Sequence, residues 1–287
     1  MKNRTKPNGG FYACALLAAV SVSALPVTAQ DFAVSTANSA GFTGGPGIGP
    51  GEAYAFNSNN PAGATKLVEL TIGNLNAFHI LDNGNYLLSA QTGSTFGSNA
   101  FVFDDDHVVE YNPNTDIVSS FFDFGAAPGV SGSDLDIDAV AVLPNGDIIF
   151  SNLNDVTIGA TTFSSRDVIQ FTPVAGTVTN VQLLFDGDLI TGGDQFNNVQ
   201  GASVDGDILA LSVASGGASD IMLGGQTFTR ADVVLYNLTT GTATLGFDGD
   251  VVFANPPTID AVHLTIPEPG TATLALGLLA LVGRRRR

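Results

Sequence analysis

A turn-and-strand motif recurs along this chain, and its incomplete copies near the two ends restrict the possible folds more than any other feature. LDNGNYLLS (81–89), LPNGDIIFS (143–151) and VDGDILALS (204–212) place Gly84, Gly146 and Gly206 about 61 residues apart. Each reads as a tight turn running into an apolar strand. Downstream, VVEYNP (108–113), VIQFTP (168–173) and VVLYNL (233–238) align as a third strand. SSFFDF, QLLFDG and TLGFDG follow as a fourth, and residues 77–80, 139–142 and 201–204 precede each turn as a first. The repeat is therefore four strands long.

The ends complete the pattern. Residues 31–35 (DFAVS) match 147–151 (DIIFS), and 52–56 (EAYAF) match 167–171 (DVIQF), so the body opens on a second strand. It closes on 259–264 (IDAVHL), a solitary first strand. The two fragments add up to a fourth repeat. A ring that pairs its last strand with its first removes exposed sheet edges. The sequence therefore predicts an all-β, four-bladed β-propeller-like ring of four-stranded antiparallel repeats closed between its ends, with a linear β-repeat array or a sandwich as the alternative. Two repeats carry an added hairpin, at 156–163 and 221–228, with Gly159-Ala160 and Gly224-Gly225 at the turns.

Composition agrees with many turns and few helices. Of the 27 acidic residues only Glu52, Glu69, Glu110 and Glu268 are glutamate; the rest are aspartate, which favours turns over helix interiors. The formal charge of −17 is unevenly spread, because Lys66, Arg166 and Arg230 are the only Lys or Arg residues between 30 and 266, where every acid but Glu268 lies. A field of that sign repels nucleic acid, and no phosphate-cradling loop or basic groove is present.

The two ends read as targeting segments, which divides the chain into 1–29, a body of 30–266 and a tail of 267–287. Lys2, Arg4 and Lys6 precede an apolar run from 11 to 25, and Pro26-Val27-Thr28-Ala29 supplies small residues before a cut after Ala29. This is the pattern of a secretory signal peptide and implies signal peptidase as a processing partner. The sole cysteine, Cys14, lies inside it, so the body holds no disulfide or thiolate site. At the other end Pro267-Glu268-Pro269 is followed by an apolar stretch and then Arg284, Arg285, Arg286 and Arg287. Residues 271–282 would span about 18 Å as a C-terminal apolar helix, short of the roughly 30 Å of bilayer hydrocarbon. Such a segment suits transient insertion in an inner membrane, with the arginines on the cytoplasmic side.

Breaker, apolar run and basic stop, in that order, resemble the PEP-CTERM sorting tail of exported proteins of Gram-negative bacteria. The resemblance covers Pro267 to Arg287. It implies recognition by an exosortase, a membrane-embedded cysteine peptidase-transferase, with processing near Pro267-Glu268-Pro269 and delivery to the cell surface or extracellular matrix. It also implies an association with extracellular polysaccharide, biofilm or other surface proteins.

The body offers little catalytic chemistry. No Gly-x-Ser-x-Gly elbow, His-Glu-x-x-His helix or nucleotide-binding glycine fingerprint occurs. The expectation is a non-catalytic binding or structural module without a cofactor; a cation-dependent propeller hydrolase or lyase is the alternative. Asp104, Asp105 and Asp106, and Asp134, Asp136 and Asp138, supply hard oxygen donors suited to calcium. The second set lacks the glycine and the bidentate glutamate of an EF-hand, with Ala139 and Asn145 in their places. Turn chemistry is the simpler account of most of these acids. His79 and His263 share one repeat position with Ala141 and Ser203, near Asp138 and Asp260. They read as a polar ring open to a cation or, more simply, as strand histidines satisfied by the fold. His107 aligns with Glu52, Asp167 and Asp232 as a turn residue, and Arg166 and Arg230 read as charge partners of the adjacent Asp167 and Asp232.

Overall fold

A computed structural model of the chain describes residues 31–70, 73–132, 135–192, 196–215 and 221–265. The expected signal peptide with Ala29, the residue Asp134, and the tail with Pro267, Glu268, Pro269 and Arg284 to Arg287 lie outside the described residues. Among the described residues no helix is long and apolar enough to cross a membrane.

The chain folds into four four-stranded antiparallel sheets. Sheet II is built from β4 (Leu75–Ile80), β5 (Tyr86–Ala90), β6 (His107–Asn112) and β7 (Ile117–Asp123). Sheet III contains β8 (Ile137–Val142), β9 (Ile148–Asn152), β10 (Val168–Val174) and β11 (Thr177–Phe185). Sheet IV contains β12 (Phe196–Asp205), β13 (Ile208–Ser215), β14 (Val233–Asn237) and β15 (Ala243–Phe247). Sheet I joins the two ends of the body: β16 (Ile259–Thr265) pairs with β1 (Asp31–Thr36), which is followed by β2 (Glu52–Asn57) and β3 (Asn60–Glu69). The β16–β1 register runs from Asp31 opposite Thr265 to Thr36 opposite Ile259, with one irregularity at Ser35.

The repeat motif explains these elements residue by residue. Gly84 and Gly146 adopt φ of 81° and 86°, a region closed to most L-residues, and so turn the first strand into the second. In two of the motifs the terminal serine ties neighbouring sheets. Ser35 Oγ donates to the Leu75 carbonyl and Ser151 Oγ to the Val199 carbonyl, both at 2.7 Å. Asp167 and Asp232 begin their strands by accepting from Ser164 N and Thr229 N, and also from Gly187 N and Gly249 N beyond the fourth strand. Much of the aspartate content is thus turn closure.

Burial falls from the first strand outward. β8 is buried along nearly its whole length, whereas β11 buries only Phe185. Apolar side chains gather into four clusters, each between two sheets: I with II, II with III, III with IV, and IV with I. The II–III cluster packs Phe124 against Phe122, Phe150 and Phe171, with ring centroids 4.6–5.6 Å apart. In the IV–I cluster Phe32 meets Phe247 edge-on at 5.1 Å, and Phe42 lies 5.1 Å from Phe253. Gly201 on β12 passes so near β16 that a Cβ there would lie 2.8 Å from Val262 N.

Two expectations need correction. The added hairpin is not confined to two repeats. Besides Val156–Ile158 with Thr161–Phe163 and Ile221–Leu223 with Gln226–Phe228, it occurs as Ser94–Phe96 with Phe101–Phe103 and, in shortened form, as Ala40–Gly41 with Gly47–Ile48. The last two turn through longer loops, which hides their likeness to the Gly-Ala and Gly-Gly turns. Arg166 pairs with Asp188, at 2.9 Å, and not with Asp167, whose carboxylate is occupied by backbone amides.

Candidate functional site: a ring of first strands and the depression at its mouth

The first strands β4, β8, β12 and β16 each lie beside two others in cyclic order, and the repeat sets their residues in rows. One row holds Asn76, Asp138, Gln200 and Asp260; toward the other end of the strands a second holds His79, Ala141, Ser203 and His263.

The histidine row is a set of hydrogen-bond acceptors between sheets. Val142 N–H donates to His79 Nε2 at 3.3 Å, Ile80 N–H to His263 Nδ1 at 3.4 Å, and Leu264 N–H to Ser203 Oγ at 3.1 Å. Each polar side chain thus receives an amide from an adjacent first strand. His79 Nδ1 and His263 Nδ1 are 3.1 Å apart. Because His79 Nε2 accepts, the neutral ring carries its proton on Nδ1 and donates to His263 Nδ1, which leaves the His263 proton on Nε2. Burial holds both rings neutral, pushing His79 down to about 4 and, with the neighbouring ring adding to the effect, His263 down to about 3. This geometry favours satisfied strand histidines over a metal-binding pair.

The carboxylate row is different. Asp136, Asp138 and Asp260 are all buried. Asn76 Nδ2 donates to Asp136 at 2.8 Å, Asn198 Nδ2 to Asp138, and Asn74 Nδ2 to Asp260 at 2.6 Å. The Asn74, Gln200 and Asp260 oxygens Oδ1, Oε1 and Oδ1 are buried without a protein partner. Desolvation pushes the Asp138 carboxyl well above its ordinary range, with the charges of Asp136 and Asp260 adding and Asn198 opposing. Desolvation likewise raises Asp260 to about 7, against the Asn74 hydrogen bond and with help from Asp136. Among the described residues no three acids or histidines gather in a way that could hold a metal ion. Asp104 is exposed and Asp105 and Asp106 half-buried. His107 donates its backbone N–H to the Asp104 carbonyl, and its ring meets Ser120 Oγ at 2.7 Å.

At the histidine end the turns of sheets II, III and IV surround an open depression of about 710 Å³. His79 and His263 lie at its base, Ile80, Leu81, Val142, Leu143, Val204 and Leu264 supply apolar wall, and Asp82 and Asp205 are exposed at its rim. Among the described residues its lining contains no Phe or Tyr and no Lys or Arg. Of the residues named in the sequence as calcium donors, Asp104, Asp105, Asp106, Asp136 and Asp138 do not line it; its walls include the recurring turns of the repeat motif.

No protein-family model matches the chain, and neither does any curated protein. Solved structures similar in outline include a chain of a nidogen/laminin complex, 8% identical, covering 83% of this chain and 99% of that one with a TM-score of 0.37. Another is a protein of unknown function from Bacteroides caccae, 13% identical, covering 84% and 100% with a TM-score of 0.39.

Proposed function

We propose that this chain is an exported protein of the cell surface or extracellular matrix, sorted by an exosortase, whose body is a closed four-bladed propeller-like ring that binds rather than reacts. Pairing of β16 with β1, together with the apolar cluster between sheets IV and I, supports the closed ring. The observation that carries the binding reading is the open depression, large enough for a small ligand or a peptide segment, above histidines that the fold has already engaged as acceptors.

Sorting is tested by replacing Pro267, Glu268 and Pro269 with alanine in the full chain and expressing it in a host that carries an exosortase. The expected outcome is a precursor held in the inner membrane with residues 270–287 still attached. Release with the mass of the unaltered mature protein would remove the sorting proposal.

A further inference from the structure

The depression lies where the body ends. In sheets II, III and IV a turn links the first strand to the second, and these turns form the rim. In sheet I no turn joins the two strands, because Thr265 ends β16 opposite Asp31 at the start of β1. Leu264, the penultimate residue of β16, is itself part of the wall. Residues 266–287 therefore begin at the rim. Six extended residues reach about 20 Å, more than the width of a cavity of this volume, so 271 onward can lie across it.

The chemistry of the two parts is complementary. The walls are aliphatic, the rim carries Asp82 and Asp205, and among the described residues no cation lies in the lining. Residues 271–282 are Thr, Ala, Leu, Gly and Val only, and the next charges are Arg284 to Arg287. A tethered segment also meets its site at an effective concentration in the millimolar range, so a modest apolar contact suffices to hold it.

We propose that the depression is a docking site for the chain's own residues 271–282, which cover its apolar walls while Arg284 to Arg287 lie beside Asp82 and Asp205. This rests on reading the segment as a tail too short to be a permanent anchor, and it gives that tail a place outside the bilayer. The docked form shields apolar surface during export and releases it when a membrane offers a larger apolar phase. Attraction between exposed charges is screened over about 8 Å at physiological salt, so high salt weakens the contact.

The test uses the full chain translated without membranes, with a photoreactive amino acid at Leu143 in one version and at the exposed rim position Pro144 in another. Irradiation is expected to give an intramolecular adduct mapping to 271–287. Leu278→Asp with Leu279→Asp should reduce its yield at least fivefold, and the same label at Val102, exposed on an outlying hairpin, should give none. Adducts only between two copies, adducts only to other parts of the body, or a yield unchanged by the two leucine substitutions would each overturn the proposal. If cross-linking fails while the Pro-Glu-Pro variant still blocks processing, docking alone is refuted.

Discussion

Deletion of residues 259–265 from the full chain is expected to abolish cooperative unfolding of the entire β-domain, not merely to weaken one sheet. β16 forms six register pairs with β1, and it contributes Ile259, Val262 and Leu264 to the cluster between sheets IV and I and Ala261 to that between I and II. All four are buried. Fully burying each larger side chain is worth about 1.5–3 kcal/mol, so the three amount to roughly 5–9 kcal/mol before any hydrogen bond is counted. That is comparable to the roughly 5–15 kcal/mol that stabilises a whole domain. The deletion also uncovers the edge of β1 and removes His263, the acceptor of the Ile80 amide. Urea titration followed by circular dichroism measures the effect. A variant that unfolds cooperatively at the parent midpoint would instead indicate sheets that stand separately, as in a linear array.

The second large effect concerns Asp260, a carboxylate that is 2% exposed, with one oxygen unpartnered. Its folded pKa is raised to about 7, so its contribution to stability is present below the ordinary carboxylate value and lost as pH rises through about 7. A rise from the ordinary carboxylate value to about 7 corresponds to roughly 4 kcal/mol between the two limits. The His79–His263 pair acts in the opposite direction. Its folded pKa values are depressed to about 4 and about 3, so its contribution is present above the ordinary histidine value near 6.5 and lost as pH falls toward 4 and 3. In the parent protein the two slopes partly cancel between pH 4 and 7. Asp260→Asn removes only the first, and it keeps a side-chain oxygen to accept from Asn74. With Asp138 still raised, the variant should lose less stability than the parent from pH 4 to 7 and exceed the parent at pH 8 by several degrees in melting temperature. Parallel curves for variant and parent would show that ionising Asp260 costs the fold nothing.

The division into four strands per repeat was legible because the motif couples a glycine turn, an apolar strand and a terminal serine, each with one physical role. The pairing of 31–36 with 259–265 was legible from the incomplete repeats alone. The small hairpins in sheets I and II were not, since their loops share no dipeptide with the Gly-Ala and Gly-Gly turns. Arg166 and Asp188 are separated by β10 and β11, and only the antiparallel return of those strands brings them together. Asp136 and Asp138 stand out in the sequence as candidate metal donors, but the asparagines that engage them come from other sheets, about 60 positions away. The depression was illegible for a similar reason: Leu81, Leu143 and Val204 are ordinary turn-flanking residues, and only the assembled sheets place them around one opening.

In the proposed closed ring the two ends of the body complete one sheet that unfolds together with the others. Native-state hydrogen exchange on the full chain measures this directly, because amides that exchange only through global unfolding share one opening free energy. In a closed ring the paired amides of β1 and β16 exchange with the same opening free energy as those of β8 and β9, the buried strands of sheet III. Exchange of β1 and β16 through a separate opening several kcal/mol less costly than global unfolding would contradict it.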